Sequence, residues 1–197
     1  MANNCYNIIT FEGDIEKLNK LRDIILPFIK TGLYYENYKD FFANEQVFID
    51  EYEDYDFSQE HPKWFHPEEP HILDGELNLY GDSAWTPVTE FVGIISHVYK
   101  VSARITFEEQ GMNFAGEQVY KEEGVCLIDD EYTYWEWLFK KGDFYDEFAY
   151  NAEYLDDLDE FLDNNNLTDK VDMDKVMKIW NEYHNEEEEE NEEDENA

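Results

Sequence analysis

Cys5-Tyr6-Asn7-Ile8-Ile9-Thr10-Phe11-Glu12-Gly13-Asp14 is the stretch on which the fold turns. Residues 5–12 are rich in β-branched and aromatic types and end at a glycine, the pattern of a strand running into a turn. Asp14 then offers the short acceptor side chain that caps a helix. Behind it Ile15, Leu18, Leu21, Ile25, Phe28 and Ile29 recur at roughly helical spacing, and Pro27 ends or kinks that helix near Leu26. The chain therefore opens as a strand followed by an amphipathic helix.

Two later stretches repeat the theme. Glu76 to Tyr80 alternates like a strand, and Thr86-Pro87 predicts an N-cap followed by proline at the first helical position. Val88, Phe91, Val92, Ile95 and Tyr99 share one face of the helix that follows, and Val101 to Phe107 alternates as the next strand. Met112 to Lys121 and Val125 to Ile128 read as strands around a Glu-Glu-Gly turn, and Tyr132, Tyr134, Trp135 and Trp137 suggest one more strand of a meander. Gly111 and Gly116 suit a turn and a close backbone approach, and Trp85, just ahead of the helix, is expected to pack it on the sheet.

Between these parts the pattern changes. From about 34 to 72 periodicity is lost and aromatics alternate with acids, and over 41–80 Lys63 is the one Lys or Arg against 11 acids, so the segment reads as an acidic insertion. Beyond 128 the chain is aromatic and acidic. Leu155, Leu158 and Leu162 keep a helical stripe, and Val176, Ile179, Trp180 and Tyr183 face inward from a last helix over about 171–183. Residues 186–197 carry a dense run of Glu and Asp and read as a disordered tail. The expected organisation is a domain over 1–128 with the insertion inside it, a mainly helical extension over 129–185, and the tail.

Composition narrows the function. The 197 residues hold 50 Asp and Glu against 14 Lys and Arg, a formal net charge of −36, with 42% hydrophobic and 17% aromatic residues. Aromatic content of that order supports a folded core despite the charge. Nucleic acids are bound through Lys and Arg, and the inner face of a membrane is anionic, so this surface repels both. Its natural partner is a basic protein surface or cations. No apolar run approaches a spanning helix, and Met1-Ala-Asn-Asn-Cys-Tyr lacks the features of a signal peptide, so a cytoplasmic protein is expected. Cys5 and Cys126 stand far apart and read as free thiols of a reducing compartment.

Signals for chemistry are weak. His61, His66 and His71 lie five residues apart with Glu68 and Glu69 between them, but match no zinc spacing and read as a solvated loop. The run from Asp163 to Asp174 is rich in oxygen ligands yet lacks the glycine and terminal Glu of a calcium-binding loop. No nucleophile elbow and no glycine-rich phosphate cradle is present. The expectation is a protein that is not an enzyme, with no catalytic residue, metal or cofactor.

The opening Met1-Ala-Asn-Asn-Cys-Tyr-Asn-Ile-Ile-Thr-Phe-Glu-Gly13, the segment Gly81-Asp-Ser-Ala-Trp-Thr-Pro-Val88 and the segment Glu108-Glu-Gln-Gly-Met-Asn-Phe-Ala-Gly116 together resemble a family of small phage and plasmid proteins with a ferredoxin-like domain of the YubB type. Asn4 stands where that family usually has Trp, and Val88 where a second Pro is common, which marks a divergent member. The resemblance implies a mobile-element origin and an α+β fold: a ferredoxin-like antiparallel sheet with helices on one face. It implies no established activity.

The acids supply the functional expectation. Asp50, Glu51, Glu53, Asp54 and Asp56 form one carboxylate row, with Tyr52 and Tyr55 as interleaved aromatic contacts. Asp156, Asp157, Asp159, Glu160 and Asp163 form a second, in which Asp156 with Glu160 and Asp159 with Asp163 are like charges four residues apart on a helix. Such rows mimic the charge of a phosphate backbone and suit a basic host protein, one that binds nucleic acid or serves in defence, which the chain would inhibit. The rival expectation is a structural or regulatory phage protein that meets its partner through the sheet, with the charge incidental.

Overall fold

In the computed structural model the described residues are 4–52, 54–60, 62–155 and 157–184. The chain divides into two compact units, the first running to Glu131 and the second beginning at Tyr132.

The first unit holds β1 (Asn4–Glu12), α1 (Ile15–Ile25), β2 (Leu33–Tyr34), α2 (Tyr38–Phe41), α3 (Gln46–Tyr52), α4 (Phe57–Glu60), β3 (Trp64–Pro67), β4 (His71–Leu73), β5 (Glu76–Ala84), α5 (Thr89–Tyr99), β6 (Ser102–Glu109), β7 (Phe114–Tyr120) and β8 (Cys126–Tyr132). The strands make one sheet in the order β2-β3-β5-β1-β6-β7-β8, with β4 also on β5. Tracing β1-α1-β3-β5-α5-β6 gives two βαβ halves, with β1 antiparallel to both β5 and β6, and β3 antiparallel to β5. This is the ferredoxin-like arrangement. β7 and β8 extend the sheet on one side and β2 on the other.

Local chemistry sets the element ends. Asp14 caps α1 by accepting the Glu16 N–H at 2.8 Å, and Pro27 falls in the 3-10 turn Leu26–Phe28 that closes the helix. β3 and β4 form one interrupted strand. Pro67 faces Gly81 while His71 faces Asn78, so four steps on one strand match three on the other, a bulge of one residue. Asp74 and Gly75 then turn into β5 with φ of 53° and 88°, the positive pair of a two-residue hairpin turn.

One face of the sheet carries the core. Cys5, Ile9 and Phe11 of β1, Leu77 and Leu79 of β5, and Ala103, Ile105 and Phe107 of β6 are buried in one cluster with Leu18, Leu21 and Ile25 of α1 and Phe91, Val92 and Ile95 of α5. The segment read as an acidic insertion belongs to this core. Its Tyr38, Phe41, Phe42, Phe48, Phe57 and Phe65 are all buried there, and the rings of Tyr38 and Phe41 each lie 5.0 Å from that of Phe91. Each such ring buries roughly 1.5–3 kcal/mol of transfer free energy. Gly116 answers its expected role: a Cβ there would meet the Asp130 carbonyl oxygen and the Phe107 ring at 2.5 Å.

Asn7, fully buried, joins three elements. Its Nδ2 donates to the carbonyls of Cys5 (2.9 Å) and Gly81 (3.2 Å) and to Ser83 Oγ (2.9 Å), and its Oδ1 accepts the Val88 N–H at 3.1 Å. Ser83 Oγ donates onward to the Thr86 carbonyl at 2.7 Å. This corrects the expected start of α5. Thr86 is not the cap and Pro87 is not its first residue; the helix begins at Thr89 behind Val88, whose N–H is held by Asn7 from β1. Trp85 departs too: it is 49% exposed with φ of 62°, in the left-handed region, instead of lying under the helix.

The second unit is helical, with α6 (Tyr134–Lys141), α7 (Phe144–Asn151), α8 (Leu158–Asn164) and α9 (Met173–His184). Tyr134, Trp135 and Trp137 therefore lie on a helix and not on the expected strand. Thr133 caps it by accepting the Glu136 N–H, and Gly142 closes it with φ of 93°. The separation of aromatics by two suggests a strand, but Thr133-x-x-Glu136 is a capping-box sequence, and here the cap wins. Leu138, Phe144, Phe148, Leu158, Leu162, Leu167 and Val176 form this unit's own core, with Leu155, Ile179 and Trp180 packed against it. The side chain of Tyr183 and the whole acidic tail lie outside the described residues. No helix among the described residues is long and apolar enough to cross a membrane.

Replacing Asn7 by Ala strands the buried Val88 N–H and takes a donor from the carbonyls of Cys5 and Gly81. The expected cost is about 3 kcal/mol, read as a lower midpoint in urea at unchanged slope.

Candidate partner-binding surfaces

The first carboxylate row lies on α3 and the turn behind it. Asp50 and Glu51 are exposed, and Asp50 accepts from Gln46 Nε2 at 2.8 Å. Glu51 meets His97 Nε2 at 2.8 Å, while His97 Nδ1 faces the Glu123 carbonyl at 2.7 Å, so this imidazole of α5 ties α3 to the β7–β8 turn. Asp54 and Asp56 are exposed, and Asp56 accepts from the Ser58 N–H and hydroxyl. Tyr52 and Tyr55 are half-buried and pack on the core: Tyr52 stacks on Phe48 and Tyr55 meets Phe57 edge-on. Their rings thus serve packing first. Burial raises the Tyr52 hydroxyl above its usual range, and Glu51 and Glu90 add to the rise. Glu53 lies outside the described residues. Asp54, Tyr55 and Asp56 border a cleft of ≈ 390 Å³ with Glu36, Lys39, Phe57 and Ser58.

The second row lies on α8. Asp157 is its N-cap, accepting the Glu160 N–H at 2.9 Å, and Asp159 and Glu160 sit in the first turn. Acids there also favour the helix dipole, so three members of the row have a local use. Asp163, near the other end, has no such excuse. All four are exposed, and Asp159, Glu160 and Asp163 border a cleft of ≈ 400 Å³ with Leu162, Thr168 and Met173. Asp156 lies outside the described residues. Among the described residues no Lys or Arg pairs with Asp50, Asp54, Asp157, Asp159, Glu160 or Asp163; the acid–base pairs fall elsewhere, as in Lys20–Glu45 and Arg104–Glu117. The cleft on α8 is thus edged by carboxylates with no Lys or Arg in its lining, whereas Lys39 borders the one beside α3.

The sheet offers a further surface. On the face away from α1 and α5, Ile8 is 36% exposed beside the half-buried Tyr6 and Tyr80. Burial raises the Tyr6 hydroxyl, and Glu68, Asp82 and Glu108 raise it further, so this face too is negative. His66 belongs to it, with its ring 5.0 Å from Trp64 and 5.9 Å from Tyr34. Trp85 is the other candidate contact that the sequence did not reveal as such. A bulky residue at positive φ is strained by roughly 1–2 kcal/mol, and exposed Trp is a common interface anchor.

The motifs weighed for metals come apart. His66 and His71 face Asp82 and Asn78 on β5, four register positions and roughly 13 Å apart. His61 lies outside the described residues. In the run from Asp163, Asn165 turns back to the Phe161 carbonyl, and Asp172 accepts the N–H groups of Asp174 and Lys175 at the start of α9. Among the described residues no group of three or more His, Cys, Asp or Glu is placed to hold a metal ion.

Neither thiol is primed as a nucleophile. Burial pushes Cys5 up to about 12, with Glu109, Asp82 and Glu108 adding to it against a hydrogen bond from Ser83. Cys126 is exposed but also raised, by partial burial and by Asp129.

Residues 54–149 match the family described as the ferredoxin-like domain in Api92-like protein. The matched span runs from the end of the first carboxylate row through the sheet strands β3 to β8 and most of α7, and β1 and α1 precede it. No curated protein and no solved structure matches the chain.

A disulfide reagent at pH about 8 is expected to titrate Cys126 alone in the native protein and Cys5 only after unfolding. Because the folded Cys5 value lies above that of the unfolded thiol, its contribution is whole below 9.0 and is lost as pH climbs toward about 12. Native-state labelling of both thiols at equal rates would contradict the buried placement of Cys5.

Proposed function

We propose that this chain is a phage or mobile-element protein of the bacterial cytoplasm that binds a basic host protein, one that handles nucleic acid or serves in defence, and inhibits it. The exposed carboxylates stand in for phosphates. The observation that carries this reading is the state of the two rows. Asp50, Asp54, Asp157, Asp159, Glu160 and Asp163 face solvent, and among the described residues no Lys or Arg forms an ion pair with them, in a chain of net charge −36. Like charges at such density destabilise a fold through self-repulsion, and solubility is reached with far fewer. On α8, Asp159 and Asp163 lie one turn apart, with Cβ atoms about 5–6 Å from each other, a spacing of the same order as phosphate charges along a duplex strand. A lysine or arginine of the partner fits the carboxylate-edged cleft between them and Thr168. The reading is non-enzymatic and needs no cofactor, and the YubB-type resemblance supports its mobile-element setting.

A second reading rests on the sheet. Ile8 stands exposed beside Tyr6 and Tyr80 on the face opposite the helices, which favours a structural or regulatory phage protein that meets its partner by packing. Salt separates the two, since an apolar contact barely responds to it.

The test is affinity capture from bacterial lysate on the immobilised chain, eluted with rising salt, beside a variant carrying Asp157→Asn, Asp159→Asn, Glu160→Gln and Asp163→Asn. Asn caps a helix as well as Asp, so α8 is kept. The expected result is one nucleic-acid-binding protein, held by the native chain, lost in the variant, and weakened by about tenfold or more between about 50 and 200 mM salt. Equal capture by both chains, insensitive to salt, would move the contact to the sheet.

A further inference from the structure

β8 ends the sheet among the described residues, and every residue from Cys126 to Glu131 on it is exposed. Both of its faces are therefore uncovered. Val125, just ahead of it, and Leu127 and Ile128 within it stand 55%, 54% and 40% exposed. An outer strand presents a row of N–H and C=O groups ready to pair, and proteins usually blunt such an edge with proline, a bulge or charge along its length. β8 contains neither Pro nor Gly, and its acids, Asp129, Asp130 and Glu131, occupy only the later half. The earlier half is apolar and open.

The charge pattern says what suits the edge. A second copy of this chain would bring another −36 and would set acid near acid in the pairing, which like charges oppose. An extended segment with Lys or Arg opposite Asp129 and Glu131, and β-branched residues opposite Leu127 and Ile128, is complementary along the whole strand. We propose that the outer edge of β8 docks such a basic, apolar, extended segment of a partner protein, which adds a strand to the sheet. Main-chain hydrogen bonds hold the segment, and the two halves of β8 fix its direction. The inference stands apart from the carboxylate rows of α3 and α8 and survives their failure.

Synthetic peptides test it without altering the fold. The probe is a labelled peptide of about eight residues, the length of a strand, with Val and Ile in one half and Lys alternating with Thr in the other, and binding is read by fluorescence anisotropy. It is expected to bind the full chain at least about tenfold more tightly than a Gly-Lys peptide of equal charge. N-methylation of one alternate set of its residues should abolish binding and of the other set spare it, because only one set faces β8. The variant Asp129→Asn, Glu131→Gln should bind at least about threefold more weakly at an unchanged unfolding midpoint. Equal binding of the Gly-Lys peptide would reduce the effect to net charge, and equal loss or equal retention in both N-methylated peptides would remove the added strand. Self-association of the chain abolished by Leu127→Lys would assign the edge to a second copy. Each of these would overturn the proposal.

Discussion

The buried amide of Asn7 is the point on which this fold is hung. A fully buried side chain that donates to Cys5, Gly81 and Ser83 and accepts from Val88 fixes β1 against β5 and places the start of α5, residues that lie far apart in the chain. Each bond adds little alone, but an unsatisfied partner in that setting is costly, so the network is demanded as a whole. Ser83 and the neutral thiol of Cys5 complete it, and the positive φ of Trp85 follows from the tight path between Ser83 and Val88. The strained, half-exposed Trp is thus set out at the surface by the same interactions that seat α5.

Around that point the aromatic residues do the packing. The stretch between α1 and β3 looks in composition like a solvated insertion, yet its rings close over Phe91 and supply much of the first core. A chain with so much negative charge needs concentrated apolar burial to offset its self-repulsion, and large rings give the most per residue. The acids then occupy the outward positions of the same short helices. Charge and core are interleaved along the sequence and separated only in space.

That interleaving decides what was legible. The strand and helix from Cys5 to Ile25 could be read because pattern, turn and cap agreed locally, and the same holds for β6 and for α9. The start of α5 could not, since its capping acceptor comes from Asn7 on another strand. The Tyr-Tyr-Trp-Trp aromatics of 132–137 hid α6 behind a period of two, although Thr133 and Glu136 announced it. Asp74-Gly75, the clearest hairpin signal in the chain, marks the β4–β5 turn that the sequence reading passed over. Among candidate contacts, exposure of the carboxylates followed from their type. The packing of Tyr52 and Tyr55, the position of Trp85 and the open edge of β8 depend on tertiary neighbours and sheet order, which composition does not carry.

In the function proposed above, the folded carboxylate surface is a substitute for nucleic acid. Its most direct measurement is equilibrium competition: a basic partner captured by the chain is loaded on labelled duplex DNA, and the chain is titrated in. The account expects full displacement of the DNA at a saturating concentration of chain, with chain and DNA never bound to one partner together. A ternary complex of partner, DNA and chain would contradict it, because a mimic and its model cannot share one site.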